Sequence, residues 1–379
     1  IGVRLVGSEM CIRDRDKNCR HWVDSVMDKL SFKEKVGQLF IYTIAPVNTK
    51  RNLELLREAI DTYKVGGLLF SGGKMQNQVE LTNRAQRQAK VPVMITFDGE
   101  WGLAMRLRGT PVFPRNMVLG CIRDNRLIYE YGREVARQCR QIGVQVNFAP
   151  VADVNINPKN PVINTRSFGE DPIQVADKVI AYASGLEGGG VLSVCKHFPG
   201  HGDTAEDSHY TLPAVHHDRA RLDSVELLPF KRYIYDGYAG VMTGHLYVPA
   251  LDKARNKPVS MSRAVVTDLL QKELGFRGLC FTDALAMKGA TTRKSDNPSV
   301  MALLAGNDIL LAPAAPINDF AAVKEALEEG ILDREEIEAK IIKILQYKYI
   351  AGLNDYRPVE TKGLSERLNL SLIHISEPT

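Results

Sequence analysis

Short apolar runs recur along the chain, and each interval between them is long enough for one helix. Runs rich in Val, Ile, Leu and Phe predict strands at Val36–Thr43, Val65–Ser71, Val91–Phe97, Val146–Val154, Val191–His197, Ala239–His245, Gly278–Asp283 and Asp308–Leu311. Each run is nearly continuous in apolar residues, which is typical of parallel strands that are covered on both faces. The pattern therefore favours a buried parallel sheet with helices around it.

The intervals between the runs carry apolar residues three to four positions apart, which is the spacing of an amphipathic helix. They predict helices at Asp124–Ile142, Pro172–Glu187, Arg219–Tyr235, Ser262–Glu273, Ile317–Glu329 and Arg334–Ile350. Ser31 followed by Glu34 predicts a capping box at the start of a further helix. Eight strand–helix units over residues 16–350 predict an α/β fold of the (β/α)8 TIM barrel type. A doubly wound open sheet is the alternative, although no GxGxxG follows the first strand.

Composition and charge narrow the class of protein without indicating its chemistry. The chain has 379 residues, of which 44% are hydrophobic and 25% charged, as in ordinary globular proteins. A net charge of +4 over this length does not favour a nucleic-acid partner, and no apolar run is long enough to predict a membrane span. The six cysteines form no CxxC pair, so neither a zinc knuckle nor a disulfide framework is expected.

Both ends of the chain differ from the pattern between them. Residues 4–15 (RLVGSEMCIRDR) and 370–379 (LSLIHISEPT) resemble opposite strands of one translated sequencing adapter. We therefore expect residues 1–15 and 370–379 to be adapter sequence, 16–350 to be the barrel, and 351–369 to be a linker toward a second domain. On this interpretation the natural termini are missing, so the lack of a targeting segment does not indicate a location.

Polar residues gather where the predicted strands end. In a TIM barrel the chemistry lies at the carboxyl ends of the strands and in the loops that follow them. The residues at these positions are Asp98 and Glu100 for the third strand, Asp153 and Asn155 for the fourth, Lys196 and His197 for the fifth, His245 for the sixth and Asp283 for the seventh. We expect these side chains to converge at one face of the barrel.

The densest polar segment runs from Lys196 to His209 (KHFPGHGDTAEDSH) and continues the fifth strand into a loop with Pro and Gly. Asp207 lies two residues before His209, so its carboxylate can bind one ring nitrogen and leave the other for a substrate. His209 is therefore a candidate general acid/base. One alternative is a surface loop whose histidines cap turns, and another is a zinc site made by His197, His201, Asp203 and His209. The ammonium of Lys196 and the lack of an HExxH motif weigh against the metal.

Asp283 is the second candidate for catalysis. It ends an apolar run and is followed by Ala284-Leu285-Ala286-Met287, which places a carboxylate at the barrel mouth among apolar neighbours. Such a position suits a nucleophile, but Asp is also a favoured helix N-cap. The spacing alone does not separate these two roles.

Four segments resemble glycoside hydrolase family 3, in particular its bacterial β-N-acetylglucosaminidases with a histidine acid/base. The segment from Lys196 to His209 resembles the K-H-F-P-G-H-G motif, which is followed after four residues by D-S-H. Phe281–Met287 resembles the nucleophile segment, Asn164–Pro172 the R-S-F-G-x-D-P element, and Pro92–Arg106 the sugar-binding loop after the third strand. The likeness extends over nearly all of residues 20–350, in the same order.

The resemblance implies a role for each matching residue. Asp283 would be the nucleophile, and His209 paired with Asp207 would be the general acid/base. The side chains implied or considered for sugar binding are Asp98, Glu100, Arg166, Lys196, His197 and His245. No cofactor and no metal is expected. Asn164, Ala284 and Lys288 stand where the family usually has Gly, Asp and Glu, and these departures remove no catalytic group.

Together these expectations describe a retaining exo-β-N-acetylglucosaminidase that removes terminal β-linked N-acetylglucosamine from cell-wall or chitin-type fragments. A β-N-acetylglucosaminide or β-glucoside phosphorylase, a β-glucosidase-like hydrolase and a non-catalytic sugar-binding barrel are the alternatives. The expected partner is a small oligosaccharide and not a nucleic acid, while the oligomeric state and the aglycone preference are open. Cytoplasm and periplasm are both open as locations, with the periplasm slightly favoured by the resemblance to longer family members.

Overall fold

The computed structural model describes residues 16–208, 210–290 and 296–375, with side chains described as far as residue 369. Within these residues the strands are β1 (Phe40–Ile44), β2 (Gly67–Phe70), β3 (Gly73–Lys74), β4 (Met94–Phe97), β5 (Leu107–Arg108), β6 (Val146–Asn147), β7 (Leu192–Phe198), β8 (Gly240–Thr243), β9 (Leu279–Thr282) and β10 (Leu310–Leu311). A sheet of eight strands runs in the order β10-β1-β2-β4-β6-β7-β8-β9, and β3 pairs with β5 beside it.

The large sheet closes into a barrel. Phe281 of β9 pairs in parallel with Ile309, which precedes β10, and the Thr282 N–H donates to the Ile309 carbonyl at 3.0 Å. Because the pairings around the sheet are parallel, the carboxyl ends of its strands meet at one face. The predicted (β/α)8 TIM barrel is therefore confirmed, and the open-sheet alternative is wrong.

Helices cover the outside of the barrel. The α-helices of the described residues are Lys17–Lys29, Phe32–Gly37, Lys50–Arg57, Met75–Gln88, Asn116–Gly120, Asn125–Gln141, Pro172–Gly188, Arg219–Ser224, Leu228–Tyr235, Pro298–Ala305, Pro316–Glu328, Arg334–Ile350 and Leu364–Ile375. Wider π-helical turns form Glu58–Thr62 and Ala264–Glu273. Short 3-10 helices form Leu103–Met105, Asn164–Arg166, Val259–Met261, Lys288–Ala290 and Leu353–Asp355. Every residue of β7 is buried, as expected for a strand between the helices and the packed interior.

The first predicted strand begins too early. Val36 belongs to the helix Phe32–Gly37, which starts at the predicted capping box: the Glu34 carboxylate accepts from the Ser31 N–H at 2.8 Å, and the Ser31 hydroxyl accepts from the Glu34 N–H. The chain then turns into the barrel, and β1 starts only at Phe40. Apolar residues of the helix and of the strand face the same core, so their pattern is continuous across this turn.

The predicted helix Arg219–Tyr235 is interrupted and forms two helices, Arg219–Ser224 and Leu228–Tyr235. Pro229 lies in the first turn of the second helix. It has no N–H to donate to the carbonyl four positions earlier, at Val225, so one continuous helix would lose a hydrogen bond there. The apolar spacing continues across the break, which explains why the pattern did not show it.

Residues after 350 pack against the outer helices. Leu364 and Leu368 are buried, and the Arg137 guanidinium donates to the carbonyls of Arg367 at 2.8 Å and of Leu368 at 3.0 Å. The last described helix, Leu364–Ile375, crosses residue 369. The boundaries predicted at residues 350 and 369 remain predictions. Within the described part of the chain, no helix is both long and apolar enough to cross a membrane.

Candidate active site

A cavity of about 420 Å³ opens at the carboxyl ends of the barrel strands. Six of the nine predicted site residues line it: Asp98, Glu100, Arg166, Lys196, His197 and Asp283. The barrel interior beneath is filled by side chains such as Phe148 and Phe281, whose rings lie 5.5 Å apart. The cavity is therefore closed at its inner end, and residues far apart in the chain meet in it as the barrel topology predicts.

A larger groove lies between the helix Asn125–Gln141 and residues 357–367, with a volume of about 980 Å³. It contains none of the predicted site residues. Its arginines include Arg137 and Arg367, whose N–H groups already donate to backbone carbonyls. We therefore place the candidate site at the strand ends.

The loop after β4, which carries Asp98 and Glu100, is held at the residue between them. The Asn147 side chain accepts from the Gly99 N–H at 2.9 Å and donates to the Gly99 carbonyl at 3.1 Å. The Tyr182 hydroxyl donates to the same carbonyl, also at 3.1 Å. These contacts fix the backbone from which both carboxylates extend.

Glu100 is a fully buried counter-ion between two cations. Its carboxylate accepts from the Arg166 guanidinium at 2.7 and 2.9 Å and lies 2.8 Å from the Lys196 ammonium. Burial raises the pKa of Glu100, but Arg166 and Lys196 more than offset it and hold the pKa well below its usual range. Glu100 therefore stays ionised, and both of its oxygens are used to orient these two cations.

Asp98 forms a second set of ion pairs beside Glu100. Its Oδ1 accepts from Lys196 at 3.0 Å, and its Oδ2 accepts from Arg106 at 2.8 Å. Burial lowers the pKa of Lys196, while Asp98 and Glu100 raise it by more, so Lys196 remains an ammonium. Arg106 also lines the cavity. In the sequence, Arg106 stands out only as the end of a matching segment.

Arg166 is presented by a turn with an unusual backbone conformation. Asn164 has a φ of 39°, in the left-handed region that Gly and Asn adopt more easily than other residues. This explains why Asn can stand where the matching motif has Gly. The turn starts the 3-10 helix Asn164–Arg166, and the Asn116 amide donates to the Arg166 carbonyl at 2.7 Å.

Asp153 orients His197. Its Oδ2 is 2.7 Å from His197 Nδ1, and its Oδ1 accepts from the His201 N–H, also at 2.7 Å. Because Nδ1 faces a carboxylate, we place the ring proton there, which leaves Nε2 to accept from the Arg166 guanidinium at 3.3 Å. Asp153 was predicted at a strand end, but nothing in the sequence pattern indicates that His197 is its partner.

His201 stabilises the loop after β7 through hydrogen bonds of both its ring nitrogens. Its Nδ1 lies 2.7 Å from the Thr204 hydroxyl and its Nε2 lies 3.0 Å from the Ser208 hydroxyl. Burial lowers the pKa of His201 to about 4, so the ring is neutral at ordinary pH. His197 and His201 thus both use their ring nitrogens within the protein, which weakens the predicted alternative of a zinc site.

Another group of side chains in the described residues has the spacing of metal ligands. Donor atoms of Asp203, His217 and Glu226 lie within 4.8 Å of one another. However, the Arg221 guanidinium lies 3.2 Å from Glu226 and 3.7 Å from Asp203. Since a guanidinium already supplies the compensating charge, we interpret this group as an ion-pair network.

Asp283 follows β9 and lies half-buried at the cavity wall. Its Oδ1 accepts from the Ala284 N–H at 2.7 Å. Burial raises the pKa of Asp283, but His197, His245, the Ala284 N–H and Lys196 lower it by more, so the carboxylate is ionised. The next helix, Lys288–Ala290, begins five residues later, so Asp283 is not a helix N-cap.

His245 lies behind the segment that carries Asp283. It is fully buried, with Nδ1 2.8 Å from the Ser260 hydroxyl and Nε2 3.1 Å from the Ala284 carbonyl. It is not among the residues that line the cavity. Its predicted contact with substrate stays a prediction, and its contact with the Asp283 segment is what the structure adds.

His209 lies outside the described residues, so its role stays a prediction. Asp207 is half-buried, and its carbonyl accepts from the N–H groups of Tyr210 and Thr211, both at 3.0 Å. Ser208 is 2% exposed and lines the cavity. The D-S-H segment therefore reaches the cavity through its serine.

The fold and the carboxylates at its strand ends match the expected class, a TIM-barrel glycosidase. Residues 31–347 match the family model described as the Glycosyl hydrolase family 3 N terminal domain, and the chain therefore belongs to glycosyl hydrolase family 3. This confirms the resemblance drawn from the motifs. At the level of the family, it also confirms the prediction of an enzyme that acts on O-glycosyl bonds.

Three relatives show how far the similarity extends. Beta-hexosaminidase A of Pseudoalteromonas piscicida is 36% identical over 326 residues, covering 77% of this chain and 54% of that protein. Beta-hexosaminidase LpqI of Mycobacterium tuberculosis is 31% identical, covering 84% of this chain and 83% of that protein. The solved family 3 β-N-acetylglucosaminidase of Paenibacillus sp. str. FPU-7 superposes with a TM-score of 0.81 at 33% identity, covering 90% of this chain and 68% of that chain. This chain thus spans about half the length of the Pseudoalteromonas relative.

Proposed function

We propose that this chain is the catalytic barrel of a retaining exo-β-N-acetylglucosaminidase acting on cell-wall or chitin-type fragments. The observation that carries the proposal is a cavity at the strand ends in which ionised Asp283 lies with side chains that can bind hydroxyl groups. The choice of N-acetylglucosamine rests on the relatives, which are named beta-hexosaminidase or β-N-acetylglucosaminidase.

In the first step, an oxygen of Asp283 attacks the anomeric carbon, and the bond from that carbon to the leaving oxygen breaks. His209 gives its proton to the leaving oxygen, which departs as an alcohol. The low pKa of Asp283 supports this role because a nucleophile must be ionised. The acid is the imidazolium form of His209, which becomes neutral imidazole when it gives up its proton, so it brings no second negative charge beside Asp283 as another carboxylate would.

In the second step, water attacks the same carbon and the bond to Asp283 breaks. His209 takes a proton from that water, and Asp207 stabilises the imidazolium that forms. Two displacements on opposite faces return the sugar to its original configuration. This step uses His209, Asp207, water and the glycosyl ester that was formed with Asp283, and it needs no further group.

The ion-pair network around Lys196 binds the hydroxyl groups of the sugar. Its ammonium and the Arg166 guanidinium donate hydrogen bonds, while Asp98 accepts them. Glu100 and Asp153 hold these groups in place before substrate arrives. Little reorganisation is then needed on binding, which favours electrostatic stabilisation of the transition state.

Hydrolysis of an aryl β-N-acetylglucosaminide by the purified chain tests the activity. We expect Asp283→Ala to lower kcat by more than about a thousandfold, because it removes the nucleophile. Asp268→Asn removes an exposed carboxylate of a helix and is the matched control, with activity close to that of the unmodified chain. Equal rates for Asp283→Ala and the control would contradict the assignment of the nucleophile.

Product analysis distinguishes this function from its alternatives. The first product should be the β-anomer, and a slow fluorosugar substrate should leave a covalent adduct on the peptide that contains Asp283. Sugar 1-phosphate formed in phosphate buffer would instead identify a phosphorylase. Binding without turnover would identify a sugar-binding barrel.

A further inference from the structure

The loop after β7, residues 199–211, carries Asp207 and Ser208 and includes His209. Four polar side chains tie this loop to the segment that follows it, and we call them the outer network: Asp203, His217, Arg221 and Glu226. His217 Nε2 lies 2.6 Å from Asp203 Oδ2, and the Arg221 guanidinium bridges the carboxylates of Asp203 and Glu226. The proposed mechanism uses none of the four.

Glu226 anchors the outer network against the start of the loop. It is 3% exposed, and burial raises its pKa. Gly200 packs directly on it: with a φ of 131°, Gly200 is so close that a Cβ there would lie 2.8 Å from the Glu226 Cβ. The loop is thus in contact with the network at Gly200 and again at Asp203.

A second set of contacts holds the far end of the loop. The Ser208 hydroxyl is bound to His201, and the Gly289 N–H donates to the Ser208 carbonyl at 3.1 Å. Between these two contacts Thr204 is buried and bound to His201, whereas Ala205 and Glu206 are exposed. The path of the loop toward the D-S-H segment is therefore set by Asp203 and Thr204 on one side and by Ser208 on the other.

We propose that the outer network positions the general acid/base, an inference that rests on the proposed function. Asp203 lies four positions before Asp207, and its bond to His217 fixes the direction in which the loop enters the D-S-H segment. None of the four residues lines the cavity, so Asp283 and the hydroxyl-binding groups keep their own supports when the network is broken. Loss of the network should therefore act on protonation of the leaving group and spare nucleophilic attack.

Two substrates with different leaving groups distinguish an effect on protonation of the leaving group from an effect on nucleophilic attack. A 2,4-dinitrophenyl β-N-acetylglucosaminide departs without help from an acid, whereas the alcohol that leaves from chitobiose must be protonated. The ratio kcat/KM reports the steps up to cleavage of the glycosidic bond for both. For His217→Leu, which cannot donate to Asp203, we expect kcat/KM to fall about tenfold to a hundredfold on chitobiose, within the range that general acid catalysis contributes. On the dinitrophenyl substrate we expect a change below about threefold.

The chain supplies matched controls. His216→Leu changes the exposed neighbour of His217 and should leave both rates unchanged. Arg221 is partly exposed, so Arg221→Met tests the network where His217→Leu fails to fold, and Arg221→Lys should restore most of the chitobiose rate. Melting curves check that the variants are folded.

Each outcome has a separate meaning. A selective loss on chitobiose in His217→Leu and Arg221→Met supports a positioning role. An equal loss on both substrates in these folded variants, or no loss on either, overturns the inference while leaving the proposed function intact. If the unmodified chain hydrolyses neither substrate, the proposed function itself fails.

Discussion

Glu100→Gln removes one charge from the centre of the cavity while keeping the size of the side chain. In the structure, Glu100 is 0% exposed and compensates Arg166 and Lys196 through contacts of 2.7 to 2.9 Å. The amide oxygen can still accept from Lys196 and from one N–H of Arg166, but the amide nitrogen then faces the second Arg166 N–H, which is also a donor. That contact is lost, and the site holds one net positive charge more than before.

The expected loss of stability follows from this burial. Removing one partner of a buried ion pair typically costs about 3–5 kcal/mol, because the remaining charge is left without compensation. Asp98 still lies 3.0 Å from Lys196, so we expect the lower end of that range, about 3 kcal/mol for Glu100→Gln. The exposed pair of Asp268 with Lys272 gives the control, since Asp268→Asn makes the same charge change where such pairs contribute roughly 0–1 kcal/mol.

Urea unfolding at two pH values measures this effect. The folded pKa of Glu100 lies below its unfolded value of 4.5, so its ionisation stabilises the protein above that pH, and this contribution is lost as pH falls toward the folded pKa. The difference between the unmodified chain and Glu100→Gln should therefore be larger at pH 7 than at pH 4. If Glu100→Gln costs no more than Asp268→Asn at pH 7, the reasoning about a buried, compensated charge is refuted.

Two further predictions concern the backbone and the neutral histidine. At Asn164, where φ is 39°, Asn164→Gly should be tolerated, while Asn164→Val should lower stability by about 1–2 kcal/mol in thermal melts; equal melting points would show that the turn is not strained. His201 has a folded pKa of about 4 against 6.5 when unfolded, so the unfolded chain binds more protons between these values and stability falls as pH drops through this window, by at most about 3 kcal/mol. His201→Gln should flatten this part of the stability–pH curve, and an unchanged slope would show that another group is responsible.

Much of the fold could be predicted from the sequence because burial on both faces makes the barrel strands apolar. All eight runs contain or overlap a barrel strand, but their limits were less certain. The run Val146–Val154 forms only the two-residue strand Val146–Asn147, since later residues bond to β7 in a less regular way, as Val151 does with Lys196. Apolar residues indicate which part of the chain is buried. That part extends beyond the residues whose backbones are hydrogen-bonded to a neighbouring strand.

The sequence predicted which residues form the candidate site, but only the structure shows which of their side chains contact one another. Glu100 was expected to bind sugar, yet both of its oxygens bind Arg166 or Lys196. Arg106 and Asp153 were not assigned roles, although each lies within hydrogen-bond distance of a predicted residue. No local pattern marks such pairs, because the partners are separated in the chain.

By itself, the sequence determined the number and order of the barrel strands, the face at which the chemistry gathers, and the family. These depend on local spacing of apolar residues, on the rule that barrel loops carry the site, and on motifs of contiguous residues. Only the tertiary structure decided which charges face one another around Asp283 and Lys196, and which groups are therefore ionised. The physical reason is that electrostatic interactions depend on distances of a few ångströms and on burial, which a chain acquires only when its strands close into the barrel.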